Sequence, residues 1–112
     1  MNIIYVSNPD MNARDIFKMT QGGADKLSNH IGEVIDIVDA IVYEDVNTRN
    51  EDVTILVIRT GDGDIMASSS GTVRRKFGAM CASFNDVFPI EGVRIISGTS
   101  KAGREYCDIE LV

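Results

Sequence analysis

A chain of 112 residues, 44% hydrophobic and 25% charged, is the length of one domain and can bury a working core without metal or disulfide support. Its formal charge of −6 excludes a generic polyanion binder held by its long-range field, so any contact with nucleic acid has to be local. No run approaches the roughly 18 apolar residues needed to span a membrane, and the opening MNIIYVSNPD lacks the basic start and apolar run of a signal peptide, which reads as a soluble, cytoplasmic protein.

Ile3-Ile4-Tyr5-Val6 is a β-prone run closed by the turn cluster Ser7-Asn8-Pro9-Asp10. Residues 13–19 fit one or two helical turns with Ile16, Phe17 and Met19 as apolar contacts, and Gly22-Gly23 breaks them. Residues 1–31 are therefore expected to form an arm packed on the main body, which takes residues 32–112. His30 is the only histidine and has no cysteine near it. That predicts a solvent-facing or hydrogen-bonded structural role rather than a metal or catalytic one.

Residues 32–45 (GEVIDIVDAIVYED) read as a long strand whose alternation loses phase. A bulge near Val38-Asp39 would reconcile it, as in a strand shared between two sides of a small barrel. Residues 46–52 form a polar loop carrying one cation, Arg49. Residues 53–60 and 65–70 then make a hairpin around Asp62-Gly63. Centring the turn there pairs Thr60 with Ile65, Ile58 with Ala67 and Leu56 with Ser69, facing the core. Arg59, Met66 and Ser68 are left on the outer surface. Asp62 and Asp64 lack the ligand spacing and closing Glu of a calcium loop, so they are turn residues.

Residues 70–88 are the convincing helix, with Val73, Phe77, Met80, Phe84 and Val87 on one stripe. Ser70 is a reasonable N-cap, and Pro89 is expected to enforce the stop. Phe77, Phe84 and Phe88 are expected in the core. Arg74, Arg75 and Lys76 oppose the helix dipole in the first turns. They are either a solvated polar face or a phosphate contact beside free helix N–H groups.

Residues 93–112 (VRIISGTSKAGREYCDIELV) fold as a second hairpin whose register follows from the letters. With Lys101-Ala102-Gly103 as a three-residue loop, Val93 faces Leu111, Ile95 faces Ile109 and Ser97 faces Cys107. The opposite face pairs Arg94 with Glu110, Ile96 with Asp108 and Gly98 with Tyr106. Slipping by one residue destroys both patterns. Neither Cys107 nor Cys81, which falls in the helical pattern, has metal-ligand spacing, so both read as buried free thiols.

Strand, strand, strand, helix, strand, strand, after a variable arm, is the order of the OB-fold. The fold class expected is thus mainly β: a five-stranded OB-fold barrel with one helix between strands three and four. Its ligand surface uses strands two and three and the loops joining strands one-two and four-five. Those regions hold Arg49, Arg59, Met66, Ser68, Lys101, Arg104 and Tyr106. Tyr106, one step from a basic tip, is the best candidate for stacking a base, and Tyr43 the second.

The helix and the final hairpin with Gly98-Thr99-Ser100-Lys101-Ala102-Gly103 resemble the single-stranded-DNA-binding proteins of bacteriophages, those of protein-primed phages in particular. Thr20-Gln21-Gly22-Gly23, the Asp62-Gly63 turn, Ser68-Ser69 and Thr72-Val73 are similar too. The likeness spans roughly residues 16–112; the start of the chain does not match, and stacking aromatics are scarce. It implies an OB-type barrel in the host cytoplasm that binds single strands with little sequence preference and protects them during replication, with a homo-oligomer and phage replication proteins as partners. The cations assigned to DNA are Arg49, Arg59, Arg74, Arg75, Lys76, Lys101 and Arg104; Arg94 is set aside as tied to Glu110. No cofactor, metal or catalytic group is expected. One alternative is a protein-interaction module on the same frame. A metal-dependent nuclease built on Asp62 and Asp64 ranks below it, since no nucleophile or base accompanies them.

Overall fold

The computed structural model describes residues 1–112. In chain order they form β1 (Asn2–Val6), α1 (Ala13–Gln21), β2 (Asp25–Lys26), a short 3-10 turn (Leu27–His30), β3 (Val34–Val46), β4 (Asp52–Thr60), β5 (Ile65–Ser68), α2 (Gly71–Ser83), β6 (Ile90–Thr99) and β7 (Glu105–Leu111). All seven strands belong to one sheet, ordered β2-β5-β4-β3-β6-β7, with β1 also paired to β3. Six have four residues or more, while β2 has two. The protein is strand-rich mixed α/β, a curled half-barrel sheet with two helices. Neither helix is long and apolar enough to cross a membrane.

β3 organises the sheet because it is long enough to serve three partners. Residues 34–37 pair with β6, residues 37–46 with β4 and residues 41–44 with β1. Its register shifts between Ile35 and Ile37 against β6 and between Ile37 and Asp39 against β4. The second shift is the expected bulge, and it explains the lost phase. Before it, Ile35 and Ile37 face the main core; after it, Ala40 does, with Val42 packed alongside. Ile41 and Tyr43 are thereby turned to the other side, where a second core forms with Met19 and Val57.

That second core is the work of α1. Asn12 caps the helix by accepting a hydrogen bond from the Asp15 N–H at 2.8 Å. Met19 and Ile16 then lie against β3 and β4, and Phe17 is left 65% exposed. Both faces of β4 are consequently covered. Residues 1–31 contribute two strands and a helix to the same sheet and its cover.

The β4–β5 hairpin differs from its expected register by one residue. Ile58 pairs with Met66 rather than Ala67, and Leu56 with Ser68 rather than Ser69. The turn is a three-residue loop, Gly61-Asp62-Gly63, closed by the Thr60 N–H donating to Asp64 O at 2.8 Å. Only Gly63 (φ +89°) takes a left-handed conformation there. A two-residue Asp-Gly turn of the primed type needs positive φ at Asp62 as well. Met66 therefore enters the main core at 1% exposure, instead of lying outside.

The five-stranded barrel expected from the element order is not closed, because β5 and β7 do not pair. Beyond β4, the other edge of β5 is taken by β2, which runs parallel to it with Asp25 opposite Met66. The 3-10 turn then carries the chain to β6, where the Gly32 N–H donates to Ile95 O at 2.7 Å and the Ile95 N–H to Glu33 O at 2.9 Å. Leu27 drops into the main core on the way. α2 lies along β7, while residues 25–33 bridge β5 to β6.

α2 starts as expected, with Ser70 Oγ accepting from the Val73 N–H at 3.3 Å. It stops a turn early. Asn85 (φ 53°) and Asp86 (φ 57°) adopt the left-handed conformation that these side chains tolerate, and the Asp86 N–H closes back onto Cys81 O at 2.8 Å. Val73, Phe77, Met80 and Cys81 are buried, whereas Phe84 (42% exposed) and Val87 (64%) fall outside the core expected for them. The two asparagine-like residues, rather than Pro89, end the helix.

His30 clamps the bridging segment. Its Nε2 lies 2.7 Å from Asp25 Oδ2 and its Nδ1 2.6 Å from Glu33 Oε2. The hydrogen bonds to Asp25 and then Glu33 raise the imidazole pKa above its ordinary 6.5. Asp25 is lowered below its ordinary 3.8, first by the Asn29 hydrogen bond and then by His30. The raised histidine stabilises the fold fully below 6.5, and that stabilisation disappears as pH rises through the folded-state value. The lowered aspartate contributes above 3.8, and its contribution disappears as pH falls through its own folded-state value. The clamp is therefore tightest in mildly acidic solution. An NMR titration of the His30 ring protons is expected to give a midpoint above 6.5, moving down toward that value in Asp25→Asn. A midpoint at or below the ordinary histidine value would show the clamp is not formed.

Candidate nucleic-acid interface

The β6–β7 hairpin carries the register expected of it at every pair from Val93–Leu111 to Thr99–Glu105. Gly103 (φ +80°) supplies the left-handed residue of the loop. The Gly103 N–H donates to Ser100 O at 2.9 Å and the Ser100 N–H to Arg104 O at 2.8 Å, which leaves Lys101 and Arg104 exposed at the tip. One hairpin face is spent on the core through Val93, Ile95 and Ile109. Alternation then forces Arg94, Ile96, Gly98, Glu110, Asp108 and Tyr106 onto the other face.

On that face the charges are arranged in order. Arg94 meets Glu110 at 3.4 Å, as the sequence suggested. Lys76, from α2, reaches Asp108 at 3.4 Å, which places the helix's cationic turn beside the strand that holds Tyr106. Lys101 and Arg104 have no carboxylate partner, and Glu105, the acid of β7 without a cation, alternates onto the opposite side with Cys107 and Ile109. The face is thus neutral along its length and positive at its tip.

Tyr106 has an unusual seat. A Cβ built at Gly98 would lie 2.5 Å from Tyr106 Cζ and 2.6 Å from its hydroxyl oxygen. The ring therefore rests against bare backbone that only glycine offers, an aromatic covering a cross-strand glycine. It remains 41% exposed. A half-exposed aromatic ring on a strand face is what stacking a base requires. Sequence reasoning chose Tyr106 but passed over Gly98, although the derived register already set the two opposite each other.

The other expected site residues are dispersed. Arg49 is exposed in the turn after β3, where Asn47 Oδ1 accepts from the Arg49 and Glu51 N–H groups at 2.9 and 3.0 Å. That turn leaves the opposite end of β3 from the hairpin tip. Arg59 is not a free cation. It is hydrogen-bonded to Asp39 and lies 3.7 Å from Asp15 at the edge of α1; the Asp39 hydrogen bond raises its pKa further. Tyr43 is 6% exposed and donates its hydroxyl to Thr20 O at 3.2 Å, so no ring face is open to a base. Arg74 Nη1 donates to Thr54 O of β4 at 3.1 Å and to Ser69 O, just before α2, at 3.0 Å. Arg75 is exposed and unpaired, next to Lys76. Cys81 is buried and Cys107 half-buried, both free, and burial pushes both thiols up, away from the reactive thiolate.

The chain matches no protein family and no curated protein, and no solved structure matches it.

Proposed function

We propose that this protein binds single-stranded DNA with little sequence preference on the outward face of the β6–β7 hairpin. The observation that carries the reading is the half-exposed Tyr106 ring packed against Gly98 on the hairpin that carries the unpaired cations Lys101 and Arg104. A stacked base is worth about 1–3 kcal/mol and is indifferent to base identity, while the tip cations meet phosphates. Arg75 extends the track along α2; Lys76, paired with Asp108, and Arg59 and Tyr43, engaged beneath α1, have no part in it. Arg49 belongs to the contact only for a strand long enough to reach the far end of β3.

The sheet supports the same reading at the level of fold. Its five later strands run in the order β5-β4-β3-β6-β7 with α2 between β5 and β6. On this reading the half-barrel is an OB-like connectivity opened at one seam, with β2 as the parallel neighbour of β5 in place of the last strand. The role proposed with it is coverage of exposed strands during replication, in the cytoplasm and with no catalytic step. An acidic molecule with few phosphate contacts binds weakly as a protomer, so adjacent copies on one strand would reinforce each other.

The test is a titration of labelled oligo-dT and of duplex by fluorescence anisotropy over a salt series. The single strand is expected to bind preferentially, with log affinity falling by roughly 0.7 per log unit of salt for each phosphate contact. Lys101→Ala/Arg104→Ala should make that slope shallower by about 1.4. Equal binding of duplex, or a slope untouched by the double variant, would contradict the assignment.

A further inference from the structure

A second site lies on the other side of α2. There a groove of about 500 Å³ runs between the helix and the β1–β3–β4 part of the sheet, a volume in the range of small-molecule sites. Its walls are Tyr5, Val42, Phe77, Gly78 and Cys81, and its lining is mostly apolar. Tyr5 and Phe77 meet edge to face, their centroids 6.1 Å apart at 77°.

Gly78 is the residue that demands a reason. After proline, glycine is the poorest residue for a helix interior. A Cβ at position 78 would meet nothing within 4 Å, so no neighbour requires its absence. What the missing side chain does is leave the floor of the groove flat and open.

The groove also has a polarity. At one end stands Arg74, held by Nη1 on Thr54 O and Ser69 O. Nothing in the protein accepts from its Nε or Nη2, and it forms no salt bridge. At the other end Asp86 accepts from the Tyr5 hydroxyl at 2.9 Å. An anion is attracted to the first end and repelled from the second.

The geometry points to a binding site for a small aromatic carboxylate, its ring laid over Gly78 beside Tyr5 and Phe77 and its carboxylate on Nε and Nη2 of Arg74. The paired N–H groups of a guanidinium suit a carboxylate, and a planar ring suits a floor that lacks side chains. This site is independent of the hairpin face, and its occupation does not require nucleic acid.

The probe is 2-naphthoate, titrated into uniformly ¹⁵N-labelled protein and followed by amide shifts. Saturable shifts centred on Gly78, Cys81, Ala82 and Thr54 are expected. The uncharged 2-naphthalenemethanol should bind roughly tenfold more weakly, the loss of one charge-assisted contact. Gly78→Leu, which fills the groove with a better helix former, should abolish the shifts without lowering thermal stability or weakening oligo-dT binding. Arg74→Gln should lower naphthoate affinity toward that of the alcohol. Non-saturating shifts, equal affinity of acid and alcohol, or naphthoate binding that survives Gly78→Leu would overturn the assignment.

Discussion

Tyr106→Ala is expected to weaken oligo-dT binding by roughly fivefold to a hundredfold, the equivalent of one lost stacking contact of about 1–3 kcal/mol. Tyr106→Phe should keep most of the affinity, since no protein group accepts from or donates to the hydroxyl and the ring alone does the stacking. The sharper variant is Gly98→Val. Valine suits a strand, yet its Cβ would stand 2.5 Å from the present position of Tyr106 Cζ. The ring has to leave, and affinity should fall as in Tyr106→Ala although the tyrosine is still there. Anisotropy with labelled oligo-dT gives the affinities, and thermal unfolding shows that each variant is folded. Full binding by a folded Gly98→Val would mean that the seat of the ring has no part in holding DNA.

The hairpin on which this rests was legible because its information is local. A glycine in a three-residue loop sets the register, and one apolar face and one ion pair confirm it within twenty residues. The β4–β5 hairpin was less legible for a physical reason. Leu56 and Ile58 on one face and Ile55 and Val57 on the other are all apolar, because α1 covers the side that a barrel of this kind would leave to solvent. Alternation therefore could not arbitrate between two registers, and Asp62-Gly63 serves in a two- or a three-residue loop.

The open seam was not legible at all. It depends on a two-residue strand, β2, whose only signature is its pairing with residues 41 positions later. The cations divide along the same line. Lys101 and Arg104 could be placed from the turn that exposes them. Arg59 could not, since Asp39 and Asp15 come to it from other elements. Tyr43 read as a strand-end aromatic and proved to be the floor under α1 for a similar reason. The bulge in β3 was inferred from lost phase, but which of its two faces α1 would cover was not written in β3 itself.

Met66→Ala separates the two registers of β4–β5 directly. At 1% exposure in the main core, loss of this side chain should cost about 2–5 kcal/mol, through lost burial and the cavity left behind. A drop in the thermal midpoint on the order of 10 °C or more follows for a domain of this size. On an outer surface the same change would stay within about 0.5 kcal/mol. The effect should also be directional. Met66 pairs with Asp25 of β2 through its backbone, and its side chain shares the main core with Leu27 of the bridging turn. Loosening it should release the seam before the rest of the sheet. Hydrogen exchange is expected to quicken first at the Gly32 amide, whose bond to Ile95 O holds the bridge to β6, while the β6–β7 amides keep their protection. Such a pattern requires that residues 25–33, rather than pairing of β5 with β7, hold the half-barrel together.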